Sequence, residues 1–141
     1  LNIHLFGSII NVIKILEKMN AYTDISQSKK LAGILPLESA DMYWWSSSIR
    51  YYIEAMDDGD FNEKEGHIRA WSIAALSEFI LPFIADNDEN NYKFYLSKDG
   101  IDRWIAYYKC DNVSIHICEE SDNMIDVIFE MVCWLKKEEY I

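Results

Sequence analysis

Residues 92–118 read YKFYLSKDGIDRWIAYYKCDNVSIHIC, and this stretch indicates that the fold contains a sheet. Apolar and polar side chains alternate over 92–96 and again over 113–118, which is typical of strands with one buried face. Gly100 and the Asp-Asn pair at 111–112 stand where the chain has to turn. The pattern predicts a three-stranded antiparallel meander.

The chain before residue 92 has the periodicity of helices. Apolar residues recur at helical spacing over 3–19, 37–56 and 63–79, which predicts three long helices. The acidic turn at 57–60 contains a glycine and separates the last two, so these two helices are expected to form an antiparallel hairpin. Pro82 should end or kink the second of them.

Two shorter helical segments complete the predicted fold. Asp24 followed by Gln27 has the spacing of a capping box, and a short helix is expected from there to Gly33. A final helix is predicted over about 122–137, where apolar residues fall on one face. Residues 1–141 are thus expected to form a single α+β domain. It would have a helix-rich N-terminal two-thirds with a helical hairpin, then the three-stranded antiparallel meander and a C-terminal helix.

Composition narrows the classes of partner. The 141 residues include 24 acids and 13 bases, a formal net charge of -11, which disfavours direct contact with nucleic-acid phosphates or anionic lipid. No stretch approaches the roughly 18 to 20 apolar residues of a membrane span, so neither a signal nor a membrane segment is expected. Three cysteines without CxxC spacing predict no disulfide framework and suit a reducing cytoplasm.

The negative charge is confined to three segments. Residues 54–65 contain six acids and one base, residues 86–89 three acids, and residues 111–126 five acids, the last two segments without a base. These segments hold 14 acids and one base, and the rest of the chain has 10 acids and 12 bases, a net charge of +2. Solubility alone does not require such clustering, so these segments are candidates for docking a basic partner. The predicted partner-binding residues are Asp57, Asp58, Asp60, Glu63, Glu65, Asp86, Asp88, Glu89, Glu119, Glu120 and Asp122.

The sequence contains no catalytic or metal-binding motif. Alternation is expected to place Ser114, His116 and Cys118 on one strand face, but spacing alone does not make a nucleophile and its base. The second acidic segment begins like a calcium loop and then has Asn91 where glycine is needed and Ser97 where glutamate is needed. With five glycines in the chain, a phosphate-binding loop is not expected either. The sequence therefore predicts no enzyme activity, no catalytic residue, no metal site and no cofactor.

In its size, acidity, aromatic content and lack of a catalytic signature, the chain resembles bacterial immunity proteins. These are small cytoplasmic inhibitors that protect a cell from toxins of contact-dependent growth inhibition and related polymorphic toxin systems. The resemblance lies in overall character and not in a motif, so it assigns no residue a role. It implies a cytoplasmic protein that binds a cognate toxin with a basic surface, often a nuclease, and blocks its cationic cleft. A homo-oligomer is not indicated.

Two other functions stay open. A small-molecule-binding domain or an enzyme would use an aromatic pocket around Trp44, Trp45 and Trp104, and its sign would be a deep pocket with convergent polar groups. Trp44 and Trp45 lie about 100° apart on the predicted helix, so one should enter the core and the other its margin. A structural or assembly subunit would instead show a large exposed apolar patch and a stable homo-oligomer.

Overall fold

The computed structural model describes residues 21–57, 59–100 and 103–141, which form two antiparallel sheets and three α-helices. The predicted helix over 3–19 lies outside the described residues. The strands are β1 (Met42–Ser46), β2 (Tyr51–Ala55), β3 (Ile68–Ala70), β4 (Phe83–Ala85), β5 (Asn91–Asp99), β6 (Arg103–Cys110) and β7 (Val113–Ile117). The helices are α1 (Ile25–Ala32), α2 (Ile73–Ser77) and α3 (Met124–Lys137), with 3₁₀ turns at Leu37–Ser39 and Glu63–Glu65. None of the helices in these ranges is long and apolar enough to cross a membrane.

The predicted helical hairpin is wrong, and a three-stranded sheet stands in its place. β1 pairs with β2 on one side and with β3 on the other, so the strand order is β2–β1–β3. Trp44 and Trp45 point to opposite faces of β1: the Trp44 ring meets Tyr22 edge-on at 5.6 Å, and the Trp45 ring stacks on Tyr52 at 4.5 Å. Because side chains pack on both faces of β1, apolar residues do not alternate along it, and their spacing resembles that of a helix.

The second predicted helix of that hairpin, over 63–79, is also wrong. Asn62 does act as a cap, because its side chain accepts the Lys64 N–H, but the turn that it caps ends at Gly66. Gly66 has a φ of 83°, a left-handed conformation that glycine adopts without strain. The chain then forms β3 and the five-residue helix α2. The prediction of a helix-rich N-terminal two-thirds is therefore wrong, because this part of the chain forms a sheet with short helical turns.

The second sheet contains the strands that the alternating stretch predicted and one more. Its order is β4–β5–β6–β7, all antiparallel, and β4 is a three-residue strand that directly follows Pro82. A register shift follows Tyr108, which pairs with His116, whereas Lys109 pairs with Ser114. The shift turns Ser114 to the other face of the sheet from His116, so the expected alignment of Ser114 with His116 and Cys118 is wrong.

A hydrogen-bonded junction joins α1 to the first sheet. The capping box is confirmed, since the Gln27 N–H donates to Asp24 Oδ1 at 2.7 Å and the Asp24 N–H donates to Gln27 Oε1 at 3.0 Å. Just before the helix, the Thr23 N–H donates to the Trp71 carbonyl at 2.9 Å, and the Trp71 N–H donates to Thr23 Oγ1 at 3.1 Å. The buried Ser28 hydroxyl lies 2.8 Å from the Thr23 hydroxyl, so the polar groups in this junction are paired.

Helix α3 packs between two hydrophobic clusters. The first cluster joins α3 to the α1 and α2 region and contains Leu31, Leu35, Ala40, Trp71, Leu76, Ile125, Ile128 and Val132. The second joins α3 to the inner face of the second sheet and contains Ile84, Tyr92, Ala106, Tyr108, Cys118, Val127, Met131 and Leu135. A helix that contributes to two clusters needs a wide apolar arc, and its six fully buried positions provide one.

The buried tyrosine of the second cluster predicts a pH effect on stability. The Tyr108 hydroxyl donates to the Leu81 carbonyl at 2.6 Å, and burial raises the pKa of Tyr108 from 10.0 to about 12. Folding therefore holds Tyr108 neutral between pH 10 and 12. The stability that the protein gains from this raised pKa is fully present below pH 10 and is lost as the pH rises to 12. We expect Tyr108→Phe to cost about 1 kcal/mol at pH 7. Urea unfolding from pH 7 to 12 measures this effect. The difference in free energy of unfolding between the Tyr108→Phe variant and the parent protein should become smaller above pH 10.

Tyr51→Phe is the matched control, because the Tyr51 side chain is exposed and the change removes the same hydroxyl. Its stability should follow that of the parent over the whole pH range. A constant gap between Tyr108→Phe and the parent from pH 7 to 12 would contradict the argument.

Candidate functional site

One face of the first sheet carries both aromatic rings and carboxylates. The register pairs Tyr43 with Glu54 and Trp45 with Tyr52, and these side chains share a face because Tyr43 and Trp45 are two residues apart on β1. The Trp45 and Tyr52 rings stack with centroids 4.5 Å apart and planes 19° apart. Beside them the Tyr43 hydroxyl donates to a Glu54 carboxylate oxygen at 2.9 Å. With the acids Asp57, Asp60, Glu63 and Glu65 that follow β2, this surface is named the acidic hairpin face.

Three exposed carboxylates lie around the Tyr43 hydroxyl. The pKa of Tyr43 is raised to about 12, mainly by burial and also by the hydrogen bond to Glu54 and the negative charges of Glu54, Asp60 and Asp57. The side chain of Tyr43 is itself buried, whereas the three acidic residues are exposed. The face therefore presents concentrated negative charge to solvent at the edge of a packed aromatic residue.

Aromatic packing holds the loop that carries these acids. His67 stacks on Tyr43 with ring centroids 5.2 Å apart, and Phe61 meets Tyr43 edge-on at 5.6 Å. The Arg69 guanidinium lies over the Phe61 ring at 4.4 Å and pairs with Glu63 at 3.6 Å. Residues 61–67 of the loop between β2 and β3 are thus held from several sides, which preorganises this part of the acidic hairpin face for a partner.

The structure brings together four of the predicted partner-binding residues of the first segment, Asp57, Asp60, Glu63 and Glu65. The fifth, Asp58, lies outside the described residues. Asp57 and Asp60 lie close enough to Tyr43 for their charges to act on its hydroxyl. Glu63 is partly neutralised by Arg69, and Glu65 lies 3.8 Å from His67 Nε2. Glu54 was not among the predicted binding residues, although the strand register places it at the centre of the face.

The second acidic segment forms a closed turn. One oxygen of Asp86 accepts the N–H groups of Asp88 and Asn90 at 2.9 Å each, and the other accepts the Asn90 amide at 3.0 Å and the Tyr92 hydroxyl at 3.2 Å. These hydrogen bonds, with the Asn90 amide contributing most, lower the pKa of Asp86. Asp86 therefore builds the turn, while Asp88 and Glu89 remain exposed to solvent.

Three acids of the third acidic segment, Glu119, Glu120 and Asp122, lie at the other end of the second sheet. Residues 86–90 lead into the start of β5, which runs beside Lys109, whereas Ser121, between Glu120 and Asp122, pairs with Trp104. These two positions on β6 are five residues apart, about 17 Å along a strand. Glu120 pairs with Arg103 at 3.4 Å. The exposed acids Glu119 and Asp122 therefore do not form one compact patch with the second segment, whereas Asp111 lies in the β6–β7 turn at the same end of the sheet as that segment.

A groove of about 480 Å³ lies beside α3, and the charge at its rim is positive, opposite to that of the acidic segments. It is lined by Lys30, Ile34, His116, Glu130, Cys133, Trp134, Lys136 and Lys137. The aromatic residue in its wall is Trp134, which stacks on His116 with ring centroids 4.5 Å apart and planes 3° apart. The pocket expected around Trp44, Trp45 and Trp104 is not this groove, because none of these three residues lines it.

One strand residue, the residue that follows that strand and one helix residue meet beside the groove. His116 Nε2 lies 3.8 Å from Cys118 Sγ, and one ligand atom each from His116, Cys118 and Glu130 lies within 4.8 Å of the others. Burial lowers the pKa of His116, raises that of Cys118 to about 12 and raises that of Glu130. The spacing of His116 and Cys118 is visible in the sequence, but Glu130 reaches them from α3 through tertiary packing.

Comparisons with protein-family models, with curated proteins and with solved structures find no match to this chain. Its function has to be argued from the chemistry of its surfaces and not from the fold.

Proposed function

We propose that the protein is a non-enzymatic inhibitor that binds a basic partner protein through the acidic hairpin face. The observation that carries this proposal is the convergence of Glu54, Asp57 and Asp60 on the sheet face that holds the Trp45–Tyr52 stack. Aromatic anchors and concentrated charge on one preorganised surface are the features of a protein–protein interface.

The shape of the hairpin supports the same function. β2 is an edge strand of its sheet, so its outer side and the β1–β2 turn stand at the margin of the fold. Ile49 in this turn is 89% exposed and adds apolar contact area at the end of the hairpin opposite to Asp57 and Asp60. Negative charge would steer a basic partner to this surface, and the aromatic and apolar side chains would then hold it.

The partner that fits this chemistry is a toxin domain with a cationic cleft, as the resemblance to immunity proteins implies. A nuclease cleft is lined by cations that receive phosphates, and carboxylates of the acidic hairpin face would occupy it in their place. The proposal includes action in the cytoplasm, where Cys110, Cys118 and Cys133, all free in the structure, would stay reduced. Mixing the protein with the genetically adjacent toxin domain in a calorimeter tests it. Heat release with loss of toxin activity is expected, and the absence of both would refute it.

Charge reversal on the acidic hairpin face should slow association. We expect the double variant Asp57→Lys and Asp60→Lys to reduce the association rate by about 10- to 1000-fold at low salt, because it replaces attraction by repulsion. The reduction should shrink as the salt concentration rises toward 1 M, where the screening length falls to about 3 Å. Stopped-flow fluorescence over a salt series measures both effects.

The matched control is the double variant Asp88→Lys and Glu89→Lys in the exposed turn before β5. Each pair of substitutions changes the net charge by four units, from -11 to -7, so the total charge is the same in both variants. Equal slowing by the two variants would show that overall charge, and not the acidic hairpin face, attracts the partner.

The alternative of a small-molecule-binding domain rests on the groove beside α3. Its wall combines the stacked rings of Trp134 and His116, and Lys30, Lys136 and Lys137 lie at its rim, so it suits an anion with a flat apolar part. Binding of such a compound should change Trp134 fluorescence. The Asp57→Lys and Asp60→Lys variant should still bind it with unchanged affinity.

A further inference from the structure

We propose that His116, Cys118 and Glu130 form a zinc site that opens into the groove beside α3. The site lies on β7, the loop that follows it and α3, so it is separate from the acidic hairpin face on the first sheet. It does not depend on the proposed inhibitor function. Within residues 21–57, 59–100 and 103–141, this is the one group of three such side chains whose ligand atoms come this close together.

The separations of the ligand atoms fit a shared ion. Cys118 Sγ and His116 Nε2 are 3.8 Å apart, and the three ligand atoms lie within 4.8 Å of one another. Bond lengths of about 2.3 Å to sulfur and about 2.0 Å to nitrogen place two tetrahedral zinc ligands about 3.5 Å apart. A shift of a few tenths of an ångström, well within rotamer motion, would bring sulfur and nitrogen into ligand positions.

Neighbouring groups hold the three side chains in place. Trp134 stacks flat on the His116 ring, which restricts its rotation. The Glu119 N–H donates to both Glu130 carboxylate oxygens at 3.2 and 3.4 Å and orients the carboxylate. The Cys118 N–H donates to the Ala106 carbonyl at 2.8 Å and anchors the strand end. Such outer contacts are what orient ligands in metal sites.

The ligand types of the cluster suit a divalent cation. A neutral imidazole is the form of histidine that binds a metal ion. The ion pairs among the described residues involve Glu63, Glu65 and Glu120, so Glu130 has no cationic partner within that set although it is half-buried. Binding of zinc would release the Cys118 proton, and the resulting thiolate together with the Glu130 carboxylate would balance the charge of one divalent ion. Sulfur and imidazole ligands favour zinc over calcium or magnesium.

The site would keep one coordination position open. Cys118 is buried beneath the groove, whereas His116 and Glu130 line it, so the fourth position of a tetrahedral ion faces the groove. Three protein ligands and one open position are the pattern of zinc sites that bind water or a small ligand. The lysines at the rim would favour an anion there.

Cobalt titration of the full chain, first stripped of metal with a chelator, tests the site. We expect one equivalent of Co²⁺ to bind with tetrahedral visible bands and a sulfur-to-cobalt charge-transfer absorption, and Zn²⁺ to displace it and raise the melting temperature. C118S should abolish the charge-transfer absorption. E130Q and H116N should weaken the affinity by more than the roughly 10- to 100-fold that the loss of an outer contact costs.

The control is C133S, which removes a thiol from the same groove but from outside the cluster. It should leave both the absorption and the affinity unchanged. Because Cys118 is buried, E130Q and H116N carry the test without replacing a core side chain, and circular dichroism checks that all variants are folded. Absence of stoichiometric binding would overturn the proposal. Absorption retained in C118S or lost in C133S, or affinity unchanged in both E130Q and H116N, would overturn it too.

Discussion

Trp71→Ala is expected to destabilise the folded protein by about 3–5 kcal/mol, the range for removing a large aromatic side chain from a core. The Trp71 ring is fully buried in the first hydrophobic cluster, and its indole N–H donates to Ser39 Oγ at 2.9 Å. Its backbone exchanges hydrogen bonds with Thr23, which ties α1 to the first sheet. Urea unfolding, with circular dichroism as the probe, measures the loss in free energy of unfolding.

Trp71→Phe is the control for ring volume. It keeps much of the apolar contact and loses the hydrogen bond to Ser39, so it should cost clearly less than Trp71→Ala. A cost below about 1 kcal/mol for the alanine variant, typical of a surface substitution, would show that the first cluster does not support the fold.

Leu135→Ala is expected to destabilise the protein by about 2–5 kcal/mol through the second hydrophobic cluster. Leu135 is fully buried on the side of α3 that packs against the second sheet. The melting temperature and the urea concentration at the unfolding midpoint should both fall. The control is Lys136→Ala, the exposed neighbour in the last turn of the helix, for which we expect a change within about 0.5 kcal/mol. A Leu135 variant as stable as the Lys136 variant would contradict the packing.

The two core variants together test whether the chain is one domain. Helix α3 contributes side chains to both clusters, so Trp71→Ala and Leu135→Ala should each move a single unfolding transition as a whole. If the Leu135 change instead produced a second, separate transition, the two sheets would unfold as independent units and the predicted single domain would be wrong.

The second sheet could be read from the sequence because its two faces differ. The even-numbered side chains of β5, such as Phe94 and Leu96, pack toward α3, while Tyr95 on the opposite face is 40% exposed. That difference produces the alternation that indicates a strand. β1 has side chains packed on both faces, so its sequence lacks alternation, and the prediction of a helix there was wrong.

The candidate sites were predictable in part. The acids of the first segment stand together in the sequence, and the structure keeps Asp57 and Asp60 together around Tyr43. Glu54 joins them because of strand register, which depends on pairing with β1 and not on sequence distance. Glu130 is one of many acids in the chain, and nothing near it in the sequence sets it apart. Its position beside Cys118 follows from the packing of α3 on the second sheet.

The sequence by itself determined the net charge of -11, the confinement of that charge to three segments, the capping of α1 and the alternation of the second sheet. These are local properties, set by residue type and by neighbours within one turn or strand. Only the tertiary structure decided that three strands between residues 42 and 70 form a sheet. It also decided that Glu119, Glu120 and Asp122 lie apart from the second acidic segment, and that His116 and Cys118 meet Glu130. The physical reason is that strand pairing and helix packing bring together residues far apart in the chain, and the free energy of those contacts outweighs local helical preference.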